Sequence, residues 1–236
     1  MDERLKEIVD NYDKLKIGID DSFKFSCKQC GKCCINREDI LLNPRDIFNM
    51  SKELKVSITD FIDVYCEKYI GSDSHMVIVR LKPRGSIKRC PLLKEQKCMA
   101  HKAKPTVCAL YPLGRAFMFK ENKSPDDFNV DDIEYIYNGE HCGDNESYTV
   151  REWLELFNIP TKDEFFVSWQ KAILKVMNTI SKIQAKPNTE CILDILWTVI
   201  YVQLYLKYDT DKDFMEQFEK NKAELFKILD AVPYRN

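Results

Sequence analysis

The feature that most constrains this chain is a run of four cysteines within eight residues. The run has the pattern C-x-x-C-x-x-C-C, and its members are Cys27, Cys30, Cys33 and Cys34. Two cysteines separated by two residues can aim both sulfurs at one point, because a tight turn between them folds the backbone back. Such spacing is typical of zinc and iron–sulfur ligands. It therefore predicts a chain that binds a metal ion or an iron–sulfur cluster.

A second cysteine group follows in polar, turn-rich segments, at Cys90, Cys98, Cys108 and Cys142. Together the two groups make eight candidate ligands, which divide naturally into two sites of four. Cys33 and Cys34 favour this division, because adjacent side chains usually diverge and rarely ligate one mononuclear ion together. Either the two thiols serve neighbouring centres, or one ligates and the other supports it.

The other two cysteines, Cys66 and Cys191, lie inside apolar helical patterns. Free cysteine is among the most buried residue types, so we expect both to be small core side chains and not ligands. His101 and His141 lie near cysteines of the second group and could each replace one as a ligand. A polar loop histidine is the simpler interpretation for both.

The cysteine pattern leaves the identity of the metal open. Cys27, Cys30 and Cys33 match the run that holds three corners of a [4Fe–4S] cluster in bacterial ferredoxins. Cys90-Pro91 repeats another ferredoxin detail, a ligand cysteine followed by proline. These features favour an iron–sulfur cluster. The alternative is a closed tetrahedral zinc site whose role is to stabilise the fold.

Composition and the N-terminal sequence predict that these thiols lie in a reducing compartment. The 236 residues are 44% hydrophobic, enough for one large domain or two small ones. The first ten residues are charged and lack the apolar segment of a signal peptide, so we expect a cytoplasmic protein without disulfides. The longest apolar stretch, 191–206, is shorter than the roughly 20 residues of a membrane span. The formal net charge of −2 does not point to nucleic acid.

Apolar periodicity predicts a mainly α fold with minor β structure. We expect an amphipathic N-terminal helix over about residues 2–17, a helix that begins at Asn43-Pro44, and another that begins near Ser57 or Thr59. Strands are expected at 76–81, 116–119 and 133–137. Residues 149–232 give four successive helical patterns. The predicted organisation is an irregular cysteine-rich metal module, 1–148, packed against a C-terminal helical segment, 149–236.

In two of these helices the apolar residues are spaced so that they form one face, which we expect to be buried. In the helix near Ser57 they are Phe61, Ile62, Tyr65, Cys66 and Tyr69. In the long helix after residue 190 they are Ile192, Ile195, Leu196, Val199, Val202 and Leu206. The spacing of both sets at three and four residues is that of one helix face.

The ordered set of motifs resembles the YkgJ-type cysteine cluster family. The motifs are Phe25-x-Cys27-x-x-Cys30-Gly31-x-Cys33-Cys34, Cys90-Pro91-x-Leu93, Cys98-x-x-His101 and Lys104-Pro105-x-x-Cys108-x-x-Tyr111-Pro112. The resemblance covers about residues 23–143 and leaves the helical tail outside. The family usually has arginine where Lys104 and Ala109 stand here, so a bidentate guanidinium is absent at both positions.

The resemblance implies a zinc- or iron-chelating domain, and members of the family are often named as Fe–S-cluster-containing proteins. The same cysteine domain occurs in flagellin lysine N-methylases, which look like cluster-dependent methyltransferases that use S-adenosylmethionine. This implies one alternative for function: an enzyme that methylates a lysine of a protein substrate. The chain has no G-x-G-x-x-G motif of a Rossmann methyltransferase, and no catalytic residue can be assigned.

Two other functions are compatible with the same cysteines. One is an iron–sulfur protein that transfers electrons to a redox partner or handles metal. The other is a structural zinc module whose helical tail binds a partner. No nucleic-acid or membrane partner is expected under any of the three alternatives.

Overall fold

The computed structural model describes residues 3–28, 30–117, 127–137, 139 and 144–232. Helices account for about 50% of the structure and strands for about 18%, which confirms a mainly α fold with minor β structure. The helices are α1 (Glu3–Asp10), α2 (Tyr12–Leu15), α3 (Pro44–Leu54), α4 (Ile58–Tyr65), α5 (Thr106–Leu110), α6 (Val150–Leu156), α7 (Glu164–Gln184), α8 (Glu190–Tyr201) and α9 (Phe214–Ala231). Among the described residues, no helix combines the length and the apolar character needed to cross a bilayer.

The strands form small antiparallel sheets. They are β1 (Lys16–Ile17), β2 (Ser22–Ser26), β3 (Cys66–Ile70), β4 (Val77–Leu81), β5 (Leu93–Lys94), β6 (Lys97–Cys98), β7 (Leu113–Phe117), β8 (Ile133–Tyr137) and β9 (Asp144–Thr149). Strand β8 pairs with both β1 and β7, while β2 pairs with β9, β3 with β4, and β5 with β6. The predicted strand at 133–137 is confirmed, and the one predicted at 76–81 begins one residue later, at Val77. The one at 116–119 starts earlier, at Leu113, and its last two predicted residues lie outside the described ones.

Local capping explains why two helices begin where the sequence predicts. The Asn43 side chain accepts a hydrogen bond from the Asp46 N–H at 2.9 Å, and the Asp46 carboxylate accepts one from the Asn43 N–H at 3.2 Å. Pro44 occupies the first helical turn of α3, where its missing N–H costs nothing. Ser57 caps α4 in the same way, accepting from the Asp60 N–H at 3.0 Å.

Two hydrophobic clusters form the interior. The larger one joins the middle of the chain to the C-terminal helices, and its fully buried side chains include Ile47, Phe61, Val79, Ile180, Leu204 and Phe218. The smaller one packs α6 against the β2–β9 ribbon and the end of α5, through Phe23, Phe25, Leu110, Trp153 and Leu154. The cysteine segments lie between the two clusters, because Phe25 belongs to the smaller cluster while Cys90, Cys98 and Cys108 pack against the larger one.

The predicted N-terminal helix over residues 2–17 is interrupted. It ends as α1 at Asp10, continues as the single turn α2, and gives way to β1 at Lys16. Val9, an apolar residue of this segment, is 56% exposed, whereas Tyr12 is buried and its hydroxyl donates to Glu134 at 2.7 Å. Pairing of β1 with the edge of β8 therefore outweighs the local helical preference.

The predicted helix near Ser57 ends at Tyr65, earlier than its apolar pattern indicates. Cys66 is buried as expected, but it begins β3 and pairs opposite Leu81. Tyr69, expected to face inward, is 39% exposed. Residues 66–70 instead pair with β4 as a hairpin, and successive side chains of a strand point to opposite faces.

The four C-terminal helical patterns are confirmed as α6, α7, α8 and α9. The prediction that Cys191 is a core residue is wrong, because its side chain is exposed. Three other apolar residues expected inside are also exposed: Ile192, Ile195 and Val202. Helix α8 buries Leu193, Leu196 and Ile200, of which only Leu196 was predicted. A helical segment with apolar residues on every side therefore still places only one face in the core.

Candidate metal centre

The first cysteine run folds as a tight turn around Gly31. Gly31 has a φ of 72°, in the left-handed region that glycine adopts more easily than residues with a Cβ. The Cys34 N–H donates to the Gly31 carbonyl at 2.9 Å, and residues Lys32–Cys34 form a turn of 3₁₀ helix. Gly31 itself is buried against Leu93, since an added Cβ would lie 3.5 Å from the Leu93 methyl groups. The turn thus anchors the first run on the segment that carries the second.

Backbone hydrogen bonds join the two cysteine groups directly. The Cys90 N–H donates to the Cys34 carbonyl at 2.8 Å. One step further along, the Asn36 N–H donates to the Ile87 carbonyl at 2.9 Å. Residues 34–37 and 87–90 therefore run side by side, which brings Cys90 next to the adjacent pair Cys33 and Cys34.

Cys98 enters the site on the β5–β6 hairpin. Its two-residue loop, Glu95 and Gln96, has φ values of 49° and 63°, and such loops in the left-handed region match the twist of a tight hairpin. The register places Cys98 opposite Leu93. Because Leu93 lies three residues after Cys90, the hairpin brings these two cysteines to the same end of the site.

Cys108 is positioned by contacts at both ends of the short helix α5. At its start, Oδ1 of the buried Asp46 accepts hydrogen bonds from the Thr106 N–H at 2.8 Å and from the Thr106 hydroxyl at 2.6 Å. At its end, the Trp153 indole N–H donates to the Ala109 carbonyl at 3.1 Å. Sequence reasoning missed Asp46, and no local pattern could have found it, because 60 positions separate it from Thr106.

One cavity of about 90 Å³ lies among the Gly31 turn, the adjacent segments 34–37 and 87–90, the β5–β6 hairpin and α5. Seven of the eight predicted ligand cysteines line it: Cys27, Cys30, Cys33, Cys34, Cys90, Cys98 and Cys108. His101 lines it too, whereas no Asp or Glu among the described residues does. Cys142 and His141 lie outside the described residues.

The lining thiols gather without closing on a single point. No three His, Cys, Asp or Glu side chains in the described part of the chain lie at metal-ligand spacing. Every cysteine that the structure describes is a free thiol, so no disulfide draws the two groups together. The two groups are held together by the backbone hydrogen bonds, the hairpin and α5.

The thiols are close enough to alter one another's ionisation. A hydrogen bond from the Cys34 thiol lowers the pKa of Cys33 to about 6, and the same contact raises the pKa of Cys34. Burial, followed by the charge of a Cys90 thiolate, raises the pKa of Cys108. A thiolate at Cys33 is therefore accessible near neutral pH, while the raised pKa of Cys34 and of Cys108 keeps those two thiols protonated until a cation replaces their protons.

Backbone N–H groups point at two of the sulfurs. Burial raises the pKa of both Cys90 and Cys98, and these hydrogen bonds act in the opposite direction. The donors to Cys90 are the N–H groups of Leu92 and Leu93, and the donor to Cys98 is that of Ala100. Hydrogen bonds of this kind favour the charged thiolate, which is the form that ligates a metal.

Two cations offset the charge of these thiolates. Arg37 lowers the pKa of Cys33 and counteracts the rise at Cys108, and its Nε donates to Asp39 Oδ1 at 2.6 Å. Lys104 acts in the same sense on Cys98 and Cys108, with its Nζ 4.0 Å from the centroid of the Phe157 ring. Sequence reasoning did not single out Arg37, because one arginine three residues after a cysteine pair carries no signal of its own.

The donor set fits a zinc or iron centre. Thiolate sulfur is a soft ligand that selects zinc, copper(I) and iron–sulfur clusters, whereas magnesium and calcium prefer carboxylate and carbonyl oxygen. Seven thiols line this cavity, and the described carboxylates lie elsewhere. The residues that would hold such a centre are these cysteines, with His101 as a possible nitrogen ligand and with Arg37 and Lys104 balancing charge.

The fold and the cavity together define a small, mainly α protein that presents clustered thiols to one shared site. A family model described as "CxxCxxCC: putative zinc- or iron-chelating domain" matches residues 26–143, half of the chain. The chain belongs to this family. No curated protein and no solved structure matches the chain. The similarity to flagellin lysine N-methylases has no counterpart among these comparisons and stays a prediction.

Proposed function

We propose that this protein binds iron through its clustered cysteine thiolates, in the form of an iron–sulfur cluster. The observation that carries the proposal is the gathering of seven thiols around one cavity that no described carboxylate lines. Membership of a zinc- or iron-chelating family supports metal binding by these thiols.

Size and number favour a cluster over a single ion. One tetrahedral zinc ion takes four ligands, and seven thiols exceed that number. The cavity of about 90 Å³ is several times the roughly 10–15 Å³ that one water molecule requires. Cys27, Cys30 and Cys33 also have the spacing of three cluster ligands in bacterial ferredoxins.

Zinc is the second candidate, and His101 is the observation that favours it. His101 lines the cavity with the seven thiols, so the described residues supply eight donors. Eight is the number that two closed tetrahedral zinc sites require. Under this alternative the metal stabilises the fold and carries no electrons.

Metal analysis of anaerobically purified protein distinguishes the two candidates. We expect iron and acid-labile sulfide in similar amounts, a brown colour with broad visible absorption, and a spin-resonance signal in one redox state. A colourless protein with stoichiometric zinc would favour the second candidate. A protein that holds neither iron nor zinc would refute both.

Two cysteine variants show whether the bound metal occupies this cavity. Cys33→Ser removes a central thiol and should abolish most of the metal content. Cys191→Ser is the matched control, because Cys191 is an exposed thiol on α8 that does not line the cavity. Equal metal content in the two variants would place the metal elsewhere.

The reaction that an iron–sulfur centre would support here is also a proposal. Seven available thiols favour full thiolate ligation and therefore electron transfer with a redox partner. Methyl transfer from S-adenosylmethionine to a protein lysine, which the family resemblance suggests, requires an iron corner that no thiolate occupies. A change in the spin-resonance signal on adding S-adenosylmethionine would favour methyl transfer. Reversible one-electron reduction without that change would favour electron transfer.

A further inference from the structure

A second cavity adjoins the metal centre and shares Lys104 with it. This cavity has a volume of about 500 Å³, within the range of sites that hold small organic ligands. It lies between α3, the segment that leads into α5, and the residues that follow α6, and it is called the α3–α6 groove below. None of the cysteines that line the metal centre lines this groove.

The α3–α6 groove has a surplus of positive charge. Its charged lining residues are Arg45, Lys52, Lys102, Lys104, Asp46 and Glu53. They comprise four cations and two carboxylates, a surplus of two positive charges that includes Lys104, which also faces the thiols of the metal centre. Arg45 also pairs with the buried Asp163, but Asp163 is shared with Arg115, so counting that cluster leaves the surplus unchanged.

Asp46 contributes little free acceptor capacity to the groove. Its Oδ1 accepts both hydrogen bonds from Thr106, and its Oδ2 accepts the one from the Asn43 N–H. The carboxylate is 4% exposed, so it is turned toward these donors and away from solvent. The three lysines, together with the exposed Glu53, are therefore the charged groups that an incoming ligand meets.

The opposite wall of the groove is apolar. It consists of Ala109, Phe157, Ile159 and Pro160. The Lys104 ammonium lies against the face of the Phe157 ring, 4.0 Å from its centroid, and this contact joins the cationic wall to the apolar one. Asn49 and Asn158 add amide groups that can donate or accept hydrogen bonds.

We propose that the α3–α6 groove binds a small organic phosphate monoester next to the metal centre. A phosphate monoester carries a charge of about −1.5 to −2 at pH 7, which matches the surplus of two, whereas a carboxylate carries one charge. Lysine binds phosphate as a point charge, and three lysines line the groove. The organic part of the ligand lies on Phe157, Ile159 and Pro160.

Calorimetric titration with phenyl phosphate tests this site on the full chain, purified anaerobically with its metal. We expect saturable binding of one phenyl phosphate, weaker binding of benzoate and of inorganic phosphate, and loss of affinity as salt concentration rises. Absence of saturable binding, or equal affinity for benzoate and phenyl phosphate, would overturn the proposal.

Variants locate the binding in the groove. Lys52 and Lys102 are exposed and do not line the metal centre, so Lys52→Gln and Lys102→Gln should leave metal content unchanged. Each should weaken phenyl phosphate binding by about two- to fivefold, the range of an exposed ion pair. Lys227→Gln, an exposed lysine on α9, is the control and should bind as the unaltered protein does. Unchanged affinity in both groove variants would refute the assignment.

The outcomes for the groove and for the metal centre are separable. Metal content is measured on the same samples, independently of the titration. Binding of phenyl phosphate by a protein without iron would uphold the groove and refute the iron–sulfur proposal. An iron-containing protein that fails to bind phenyl phosphate would uphold the iron–sulfur proposal and refute the groove as a phosphate site.

Discussion

Asp46 shows how a single residue can determine the geometry of a site without belonging to its lining. Its buried carboxylate caps α3 through Asn43 and also holds Thr106, two residues before Cys108. The helix α5 has no cap from its own preceding residue, Pro105. A carboxylate that is distant in sequence therefore supplies the acceptor that the start of α5 needs.

Asp46→Asn should destabilise the protein by about 1–3 kcal/mol, the cost of leaving buried hydrogen-bonding groups unsatisfied. An amide offers one acceptor oxygen, so its NH₂ group must face either the Thr106 donors or the Asn43 N–H. Urea denaturation at neutral pH measures the change. Asp194→Asn, on the exposed side of α8, is the control and should change stability by less than about 0.5 kcal/mol. Equal effects of the two substitutions would contradict this role of Asp46.

For single residues, the sequence predicted which cysteines line the cavity better than it predicted which other residues contact them. Seven predicted ligand cysteines do line one cavity, since dense C-x-x-C spacing has few structural uses other than chelation. Arg37, Asp46 and Lys104 shape the site through contacts that form only in the folded chain, so spacing could not assign their roles. Cys191 was misplaced because an apolar neighbourhood does not say which face of a helix is buried.

Among the structural elements, the turn at Gly31 requires glycine, and the effect of that requirement on metal binding can be measured separately. Gly31 and Gly85 have similar left-handed φ values, 72° and 69°, but only Gly31 lines the metal centre. An alanine at either position carries a backbone strain of roughly 1 kcal/mol. Gly31→Ala should also weaken metal binding, because its turn places Cys30 and Cys33.

Competition with a chelator measures this difference between the two glycine variants. Gly31→Ala should release metal at a lower chelator concentration than the unaltered protein. Gly85→Ala should lose similar stability in the metal-free form yet keep its metal, since nothing lies within 4 Å of an added Cβ there. Equal chelator sensitivity in the two variants would show that the turn does not position the ligands.

An ion cluster of Asp163, Arg45 and Arg115 joins α7, α3 and β7. Asp163 caps α7, receives two hydrogen bonds from Arg45 on α3, at 2.8 and 2.5 Å, and receives one from Arg115 on β7 at 2.8 Å. Its side chain is 1% exposed. Burial alone would raise the pKa of Asp163, but the two guanidiniums outweigh it and hold the pKa below its usual value.

Asp163→Asn should cost about 3–5 kcal/mol at pH 7, because it leaves the buried Arg115 guanidinium and the partly buried Arg45 guanidinium without their anion. The depressed pKa of Asp163 contributes stability above the unfolded value of about 3.9, and this contribution is lost as pH falls through the folded value. The stability gap between the two proteins should therefore narrow as pH falls below about 4. Asp230→Asn, which breaks an exposed pair with Lys175, should show a gap below about 1 kcal/mol at every pH. A gap for Asp163→Asn that is constant with pH would refute the ion cluster's role.

Element boundaries were predictable where local chemistry sets them. Asn43, Pro44 and Ser57 mark helix starts through bonds within three residues, and both starts are confirmed. Boundaries set by strand pairing were missed, at Lys16 and at Cys66, because their partners lie 120 and 15 positions away. Helical periodicity gives no sign of a partner strand that arrives later in the chain.

For the whole molecule, the C-terminal helices complete the core on which the cysteine segments rest. The larger hydrophobic cluster contains Ile47, Phe61 and Val79 from the first part of the chain, and Phe218 and Leu225 from α9. Strand β2, which leads into the first cysteine run, pairs with β9. The proposed boundary near residue 148 therefore separates segments that share one interior.

A fragment of residues 1–148 should fail to fold cooperatively, even with metal present. Its larger cluster would expose residues that α7, α8 and α9 cover, and each such large apolar side chain contributes about 1.5–3 kcal/mol when buried. Heteronuclear NMR of the fragment, with the full chain as control, measures this directly. Well-dispersed amide resonances and a sharp thermal transition in the fragment would establish 1–148 as an independent domain.

The most direct test of the whole account is X-ray absorption at the metal edge of the full chain, purified anaerobically. We predict a first coordination shell dominated by sulfur, with metal–metal scattering from a cluster, and loss of most of the metal absorption in Cys33→Ser. A sulfur shell at about 2.3 Å around zinc would keep the thiolate site and change its metal. A first shell of oxygen or nitrogen alone would contradict the claim that these cysteines converge on a metal.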